Sequence, residues 1–229
     1  MDTVNFHESG LTVRVLESPA DQHKAFALRH TIYCETLNWV KTQTDALERD
    51  DYEEGSTSLG VMTEDDELLG VVRMIPAGRP FMLEHGFQGL LDPLHRLRKC
   101  TDTAEVTRLT TRTPPKTYAS AAPISCLLYK AIYRWSCAHH VRYLYLVVET
   151  HYLRTLQQWG FPCLPIGLPR LLGPRSLCIA AILDWDLFRE RIEAHPSPFT
   201  AWITDHRSKT QAPPPLLWRG RGFAPSTSA

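Results

Sequence analysis

The sequence lacks both an excess of charge of one sign and a long hydrophobic run. Its 229 residues hold 25 Lys and Arg against 25 Asp and Glu, which gives a formal net charge of zero. A neutral chain carries no overall field that would attract a phosphate backbone or anionic lipid, so nucleic acid is not expected as a partner. No stretch reaches the roughly 18 consecutive apolar residues that a membrane span requires, and Met1–Gly10 shows no signal-peptide pattern. These absences predict a cytoplasmic protein.

The sequence also lacks paired metal-ligand motifs. Its six cysteines are scattered, with no C-x-x-C pair and no histidine at zinc-finger spacing. His139 and His140 end a helical pattern, where histidines commonly interact with the helix dipole instead of a metal. We therefore expect reduced structural thiols and no metal site.

Hydrophobic periodicity predicts a mixed α/β fold, with a central twisted sheet covered by helices, in one domain of residues 1–205. Residues 206–229 include Pro213-Pro214-Pro215 and Gly220-Arg221-Gly222, a composition that rarely packs well, and are expected to form a mobile tail. The predicted helices are Gln22–Trp39, Ala121–Ala138, Leu153–Trp159 and Leu187–Ala194. The predicted strands are Leu11–Val15, Leu59–Thr63, Leu68–Ile75, Ala104–Thr111, Tyr143–Val148, Cys163–Ile166 and Ser176–Asp184.

A polar segment, residues 40–58, is expected to form a long surface loop, and such loops are usually functional or disordered. An arginine and two aromatic residues precede its carboxylates, a combination that would suit a zwitterionic ligand carrying a cation and an aromatic ring. A solvated acidic loop beside an aromatic pair at the edge of the core fits the same pattern. The residues concerned are Arg29, Tyr33, Trp39, Glu48, Asp50 and Glu53.

Charged residues also interrupt two predicted strands. Arg73 lies in Leu68–Ile75, whereas Glu105 and Arg108 lie in Ala104–Thr111. A charged group inside an apolar strand is unfavourable to bury unless it has a partner. These three residues are therefore candidates for a functional site.

Taken in order, these residues resemble the pattern of the acyl-homoserine-lactone synthases, the autoinducer synthases of bacterial quorum sensing. The shared pattern is Leu-Arg-x-x-x-aromatic followed by Trp, then Glu-x-Asp-x-aromatic-acid, an Arg-bearing strand, Phe, and Glu-x-x-Arg. The resemblance extends from about Phe26 to Asp184. In this sequence the pattern is carried by Arg29, Tyr33, Trp39, Glu48, Asp50, Glu53, Arg73, Phe87, Glu105 and Arg108.

The resemblance implies a fold related to the GNAT-type N-acetyltransferases and an enzyme that joins an acyl group to the amine of S-adenosylmethionine. It assigns Arg73, Glu105 and Arg108 to the catalytic core. A V-shaped cleft beside residues 147–150 would receive the acyl chain. The S-adenosylmethionine side would be lined or supported by Arg29, Tyr33, Trp39, Glu48, Asp50, Glu53 and Phe87.

Glu149-Thr150 and the later segment 165–169 look closest to a subgroup that takes acyl-CoA donors with aryl or branched acyl groups. Glu53 stands where the family usually has Asp, and His151-Tyr152 replaces an aromatic Trp-Trp pair. The loop 113–118 has no glycine-rich phosphate cradle, so donor contacts are expected from a lysine and from backbone amides of the next helix. The expected acyl-donor residues are Arg112, Lys116, Val147, Glu149 and Thr150.

As a mechanistic hypothesis, Glu105 removes a proton from the substrate amine. Backbone amides of the strand after Val106 would stabilise the oxyanion. Arg29 and Arg108 would hold carboxylates, either of the substrate or of Glu48 and Asp50. No cofactor is expected beyond the two substrates, S-adenosylmethionine and the acyl thioester.

Two other functions fit the sequence, an acyl-CoA-dependent N-acyltransferase that acts on another amine and a ligand-binding module without activity. The donor also stays open between CoA and acyl-carrier protein, since a protein donor needs a basic docking face. Candidates for that face are Arg96, Arg98, Lys99, Arg112, Lys116 and Arg142.

Overall fold

The computed structural model describes residues 4–118, 123–172 and 176–206, which form one mixed sheet flanked by helices. The strands are β1 (Phe6–Glu8), β2 (Leu11–Val15), β3 (Thr57–Met62), β4 (Leu68–Pro76), β5 (Thr103–Thr111), β6 (Tyr143–Glu149), β7 (Cys163–Pro165), β8 (Arg170–Leu172) and β9 (Ser176–Asp184). The α-helices are α1 (Pro19–Arg29), α2 (Ile124–Ala138), α3 (Thr150–Gln158), α4 (Trp185–Ala194) and α5 (Pro198–Thr204).

The sheet opens in its middle, between β5 and β6. The strand order is β1-β2-β3-β4-β5-β6-β9-β7, and β8 also pairs with β9. The pairing of β5 with β6 is parallel and joins only Thr103–Val106 to Tyr143–Leu146. Beyond this short ladder β5 continues beside β4 to Thr111, while β6 continues beside β9 to Glu149. The two strands therefore separate, which leaves a V-shaped gap where their carboxyl ends diverge.

A β-bulge interrupts the ladder between β4 and β5. Arg73 pairs with Thr107 and Val71 pairs with Thr110, so two residues of β5 oppose one residue of β4. Arg108 lies in the bulge with φ +53°, a left-handed conformation that L-residues with a side chain adopt only when other contacts hold them there. Bulges of this kind redirect side chains and are common beside active sites.

Apolar residues cover both faces of the sheet. Alternation along β6 places Leu144 and Leu146 in the main core under α2, and it places Tyr145 and Val147 in a smaller cluster on the opposite face. The smaller cluster includes the segment that begins at Phe81. Both faces are therefore packed beside the gap.

The predicted helix Gln22–Trp39 is wrong in its bounds. The Ser18 hydroxyl accepts the Asp21 backbone N–H and starts α1, with Pro19 in the first turn. Beyond Arg29 the chain continues as a π-helical segment, His30–Thr36. Wider helical turns of this type are frequent at functional sites, and residue periodicity does not distinguish them from an α-helix.

The other predicted strands and helices are confirmed to within a few residues, except that residues 121 and 122 of one predicted helix lie outside the described residues. The prediction missed β1 and β8, which have three residues each, and α5. Of the predicted tail, all but His206 lies outside the described residues. All six cysteines are free thiols, as expected.

Candidate active site

Three acids and three arginines from four parts of the chain form one closed ring of alternating charge. The acids lie on the loop of residues 37–56, and the arginines lie on α1, β4 and β5. Every arginine contacts two acids and every acid contacts two arginines, so the ring has no net formal charge. In order around the ring the residues are Arg29, Glu48, Arg108, Asp50, Arg73 and Glu53.

Arg29 and Arg73 form the fully buried side of the ring. Arg29 donates from Nε to Glu48 at 2.5 Å and from Nη2 to Glu53 Oε1 at 2.6 Å. Arg73 donates from Nη1 to the same Glu53 oxygen at 2.7 Å and to Asp50 at 2.5 Å. One oxygen of Glu53 thus bridges two arginines, which gives a structural use to the longer side chain at this position.

Arg108 is the most exposed of the three arginines in the ring. Its Nε donates to Glu48 at 3.1 Å and its Nη2 to Asp50 at 2.8 Å. Its side chain is 13% exposed, against 0% for Arg29 and Arg73. The remaining nitrogen, Nη1, faces the Met82 sulfur at 3.8 Å. Since a thioether is a weak acceptor, this nitrogen is the donor best placed to receive a carboxylate from a ligand.

The ring also sets the ionisation of Asp50. Burial alone would raise the pKa of Asp50, but hydrogen bonds from Arg73 and the charge of Arg108 lower it to about 2. The carboxylate therefore stays ionised at neutral pH and holds both arginines in place. The acids of the loop 37–56 form ion pairs with arginines of the protein. Arg29 and Arg108 were predicted to hold carboxylates either of the substrate or of the protein, and the structure contains the network with protein carboxylates.

Two aromatic residues lie beside Arg108. The Tyr33 ring stacks at a tilt against Trp39 with centroids 6.0 Å apart, and the Arg108 guanidinium lies 5.4 Å from the Tyr33 centroid. The Tyr33 hydroxyl donates to the Leu109 carbonyl at 2.9 Å and so fixes the bulge of β5. Burial raises the pKa of Tyr33 to about 12, so this hydroxyl keeps its proton. Trp39 is 39% exposed and can receive a planar ligand group.

Glu105 is buried on the face of the sheet that carries the smaller core cluster. Its two oxygens accept the backbone N–H groups of Met82 at 2.6 Å and Leu83 at 3.0 Å. Burial raises the pKa of Glu105 to about 7, and these two N–H groups offset only part of that effect. A carboxyl with this pKa can accept a proton near neutral pH, which suits a general base.

Met82 connects Glu105 to the ion ring. Its backbone N–H is held by Glu105, and its sulfur lies 3.3 Å from Arg73 Nη2 and 3.8 Å from Arg108 Nη1. Phe87 donates its backbone N–H to the Met82 carbonyl at 3.0 Å and packs on the smaller cluster. Phe87 thus supports the turn that carries Met82.

The expected acyl-donor residues fall into two groups. Val147, Glu149 and Thr150 lie where β6 leaves the gap and α3 begins. Arg112 forms an ion pair with Glu67 at 2.8 Å, and Lys116 is exposed in a short 3-10 turn. The structure brings the first group to the gap and places the second on the loop that leads from β5 towards α2.

Some residues of this region were not predicted. One of them is Thr107, whose hydroxyl accepts the Arg73 Nε–H at 3.0 Å. Tyr152 was noted as part of a departure from the resembled subgroup, but its hydrogen bond to Tyr129 was not predicted. Met82 and Tyr129 carried no signal, because an isolated methionine or tyrosine in an apolar segment indicates only core.

A family model for autoinducer synthases matches residues 14–193 of the chain. The chain belongs to the autoinducer synthase family. Membership confirms the resemblance seen in the sequence and the prediction of an acyltransferase enzyme. An acyl-homoserine-lactone synthase from Agrobacterium fabrum is 28% identical over 193 residues, covering 76% of this chain and 87% of the relative. One from Aliivibrio fischeri is 26% identical over 155 residues, covering 66% and 80%.

Solved structures of autoinducer synthases share the fold. The AHL synthase LasI aligns with a TM-score of 0.68 at 17% identity, covering 78% of this chain and 90% of that one. The CoA-dependent acyl-homoserine lactone synthase BjaI, solved with MTA, aligns with a TM-score of 0.67 at 20% identity, covering 87% and 98%. This likeness confirms the predicted GNAT-type mixed sheet flanked by helices.

Two negative findings apply to residues 4–118, 123–172 and 176–206 alone. Every helix within these ranges is too short or too polar to span a lipid bilayer. No cluster of His, Cys, Asp and Glu there could hold a metal ion.

Proposed function

We propose that this autoinducer synthase acylates the amine of S-adenosylmethionine from an acyl-CoA and then closes the product to an acyl-homoserine lactone. The observation that carries the proposal is the closed ion ring next to a buried glutamate with a pKa of about 7. The ring presents one arginine nitrogen to the ligand, and the glutamate supplies a base. Both steps use only the two substrates and protein groups.

The acceptor is held by Arg108 and the aromatic pair. A substrate carboxylate replaces the weak Met82 contact at Arg108 Nη1, and the adenosyl group lies against the exposed face of Trp39. The pair of Tyr33 and Trp39 also offers ring faces to a sulfonium, which cations favour. Arg29 and Arg73 stay engaged in the ring as positioning residues.

The first step forms an amide. Glu105 takes a proton from the ammonium group, the neutral amine attacks the thioester carbon, and the carbon–sulfur bond breaks as CoA leaves with a proton. N–H groups of β5 near its bulge stabilise the oxyanion. In the second step the carboxylate attacks the carbon that bears the sulfonium, and methylthioadenosine leaves. This step needs chiefly orientation, because it is intramolecular.

The basic residues that a carrier protein would need are largely neutralised, which favours CoA as the donor. Arg98 pairs with Asp102 at 2.8 Å, and Arg142 pairs with Asp184 and Asp186, each at 2.9 Å. Lys99 and Arg112 have their own acidic partners, Glu84 and Glu67, each at 2.8 Å. Four of the six predicted docking residues thus form ion pairs within the chain, so little net positive surface is left for an acidic protein.

The test is release of methylthioadenosine from S-adenosylmethionine by the purified chain with acyl-CoA and, separately, with acyl-carrier protein. We expect release with acyl-CoA at a higher kcat/KM than with the protein donor. Consumption of acyl-CoA only when another amine is added would instead identify an ordinary N-acyltransferase. Binding of both substrates without product would identify a non-catalytic module.

A further inference from the structure

A hydrogen-bonded pair of tyrosines lies outside the ion ring and has no part in the mechanism above. The hydroxyls of Tyr129, on α2, and Tyr152, in the first turn of α3, are hydrogen-bonded to each other. Tyr129 is 5% exposed, and its ring packs edge-on against Trp159 and Phe161 at centroid distances of 5.7 and 5.6 Å. The pair is therefore held firmly by the core.

The pair lies on the helix side of the gap between β5 and β6. Val106 and Leu109 from β5, and Leu146 and Val148 from β6, belong to or pack on the same core cluster as Tyr129 and Tyr152. Tyr152 follows the end of β6 by three residues, where the two strands have already separated. The two tyrosines therefore share a core cluster with residues from both strands that border the gap.

The pair joins the acceptor side of the site to the core. Burial raises the pKa of Tyr152, and the neighbouring Cys126 and Tyr33 raise it further, so its hydroxyl keeps its proton. Tyr33 is the residue that contacts Trp39 and Arg108. Tyr152 thus has an acceptor-site residue, Tyr33, as an electrostatic neighbour, while Tyr129 contacts the aromatic residues Trp159 and Phe161 of the core.

Resting on the proposed function, we infer that the Tyr129–Tyr152 pair forms the inner end of the acyl site and restricts the donor to short acyl groups. A longer chain would have to separate the two hydroxyls and leave both buried without a partner, which is far less favourable than leaving the bond intact. A short chain ends before the pair and leaves it undisturbed. The pair determines specificity and is not catalytic.

The double variant Tyr129→Phe and Tyr152→Phe tests the inference, because it removes both hydroxyls while keeping both rings. Replacing both partners by apolar groups of the same shape is nearly neutral for stability. We expect kcat/KM for dodecanoyl-CoA to rise about tenfold, the scale of one lost buried hydrogen bond, with that for butanoyl-CoA unchanged. Tyr152→Leu, which also shortens the side chain, should show the same direction and serves if the double variant does not fold.

Tyr143→Phe is the matched control, since Tyr143 starts β6 at the closed end of the ladder; it should change neither rate. The inference is overturned if the unmodified chain uses both donors equally, or if kcat/KM for dodecanoyl-CoA is unchanged in the folded variants. In either case, release of methylthioadenosine would still support the proposed synthase function. Absence of release with either donor overturns the proposed function and, with it, this inference.

Discussion

At the scale of single residues, the hydrogen-bond partners decide which buried carboxyl can act as a base. Asp50 and Glu105 are both largely buried, yet the pKa of Asp50 is lowered to about 2 and that of Glu105 is raised to about 7. Asp50 receives arginine hydrogen bonds, whereas Glu105 receives only backbone N–H groups. The two environments separate a permanent anion from a group that exchanges a proton near neutral pH.

We expect Glu105→Gln to reduce turnover at least a hundredfold, because an amide cannot accept the ammonium proton. In the unmodified enzyme kcat/KM should rise with pH up to a pKa of about 7, since only ionised Glu105 is a base, and should level off above it. Methylthioadenosine release measured across about pH 5.5 to 8.5, a range chosen to bracket that pKa, gives both the loss of turnover in the variant and the pH dependence of the unmodified enzyme. A flat profile in the unmodified enzyme, or a Glu105→Gln variant with near-normal turnover, would remove Glu105 from this role.

We expect Arg108→Lys to lose most turnover even though it keeps the charge. A lysine cannot donate to Glu48, to Asp50 and to a ligand carboxylate in the geometry of the guanidinium. The KM for S-adenosylmethionine should rise, while the KM for acyl-CoA should change little. Equal changes in both KM values would indicate a general loss of structure and would contradict a specific acceptor contact.

The residues of the ion ring were all named from the sequence, with Glu48 and Asp50 offered as one set of partners for Arg29 and Arg108, but the closure of the ring was not predicted. Their charges and their order were readable, so all three arginines and all three acids were predicted. The closed ring was not, because it depends on the bulge at Arg108 and on the path of the loop 37–56, both of which are tertiary features. Glu53 was noted as a departure from the family, yet its bridging oxygen requires the positions of Arg29 and Arg73.

At the scale of elements, the gap between β5 and β6 and the segment beneath it define the donor side. The segment 81–92 is tied to the loop after β7, since Asp92 donates its backbone N–H to the Ile166 carbonyl at 2.9 Å. A Cβ on Gly167 would lie 1.9 Å from the Leu90 carbonyl oxygen. Glycine is therefore required at this close approach of two backbones.

Gly167→Ala should destabilise the chain by about 1–3 kcal/mol, because neither backbone can move freely to relieve the overlap. Gly89→Ala is the matched control, since a Cβ there meets nothing within 4 Å. Urea unfolding followed by circular dichroism compares the two variants. Equal free energies of unfolding for the two variants would show that the loop after β7 accommodates the Cβ without loss of stability.

Element boundaries were predictable where periodicity was long, as in β4, β5 and α2. They were not where an element is short or changes type. Both β1 and β8 have three residues, too few for alternation to show. The apolar residues of the π-helical segment have roughly helical spacing although its turn is wider, so the residue pattern did not predict that the segment ends at Thr36.

At the scale of the whole molecule, the ion ring joins α1, the loop 37–56 and the centre of the sheet. The acidic loop would otherwise be a long surface segment with few contacts of its own. Because the ring is closed, removal of one member leaves two buried partners with unbalanced charge. The same network thus holds the fold together and positions Arg108 for the ligand.

Glu48→Gln should lower the free energy of unfolding by about 3 kcal/mol, because Arg29 and Arg108 lose a shared, fully buried anion. Glu54→Gln is the control on the same loop, since its side chain is 85% exposed and pairs with Arg79 at 3.2 Å; it should change stability little. Chemical denaturation of both variants is the measurement. A similar small effect for both would mean that the ring does not stabilise the fold.

The most direct test of the account is mass spectrometry of the products that the purified chain forms from S-adenosylmethionine and butanoyl-CoA. We predict butanoyl-homoserine lactone and methylthioadenosine in equal amounts, with free CoA. Unchanged S-adenosylmethionine, whether butanoyl-CoA stays intact or is hydrolysed to butanoate and free CoA, would contradict the assignment of the ion ring and Glu105 to this acceptor.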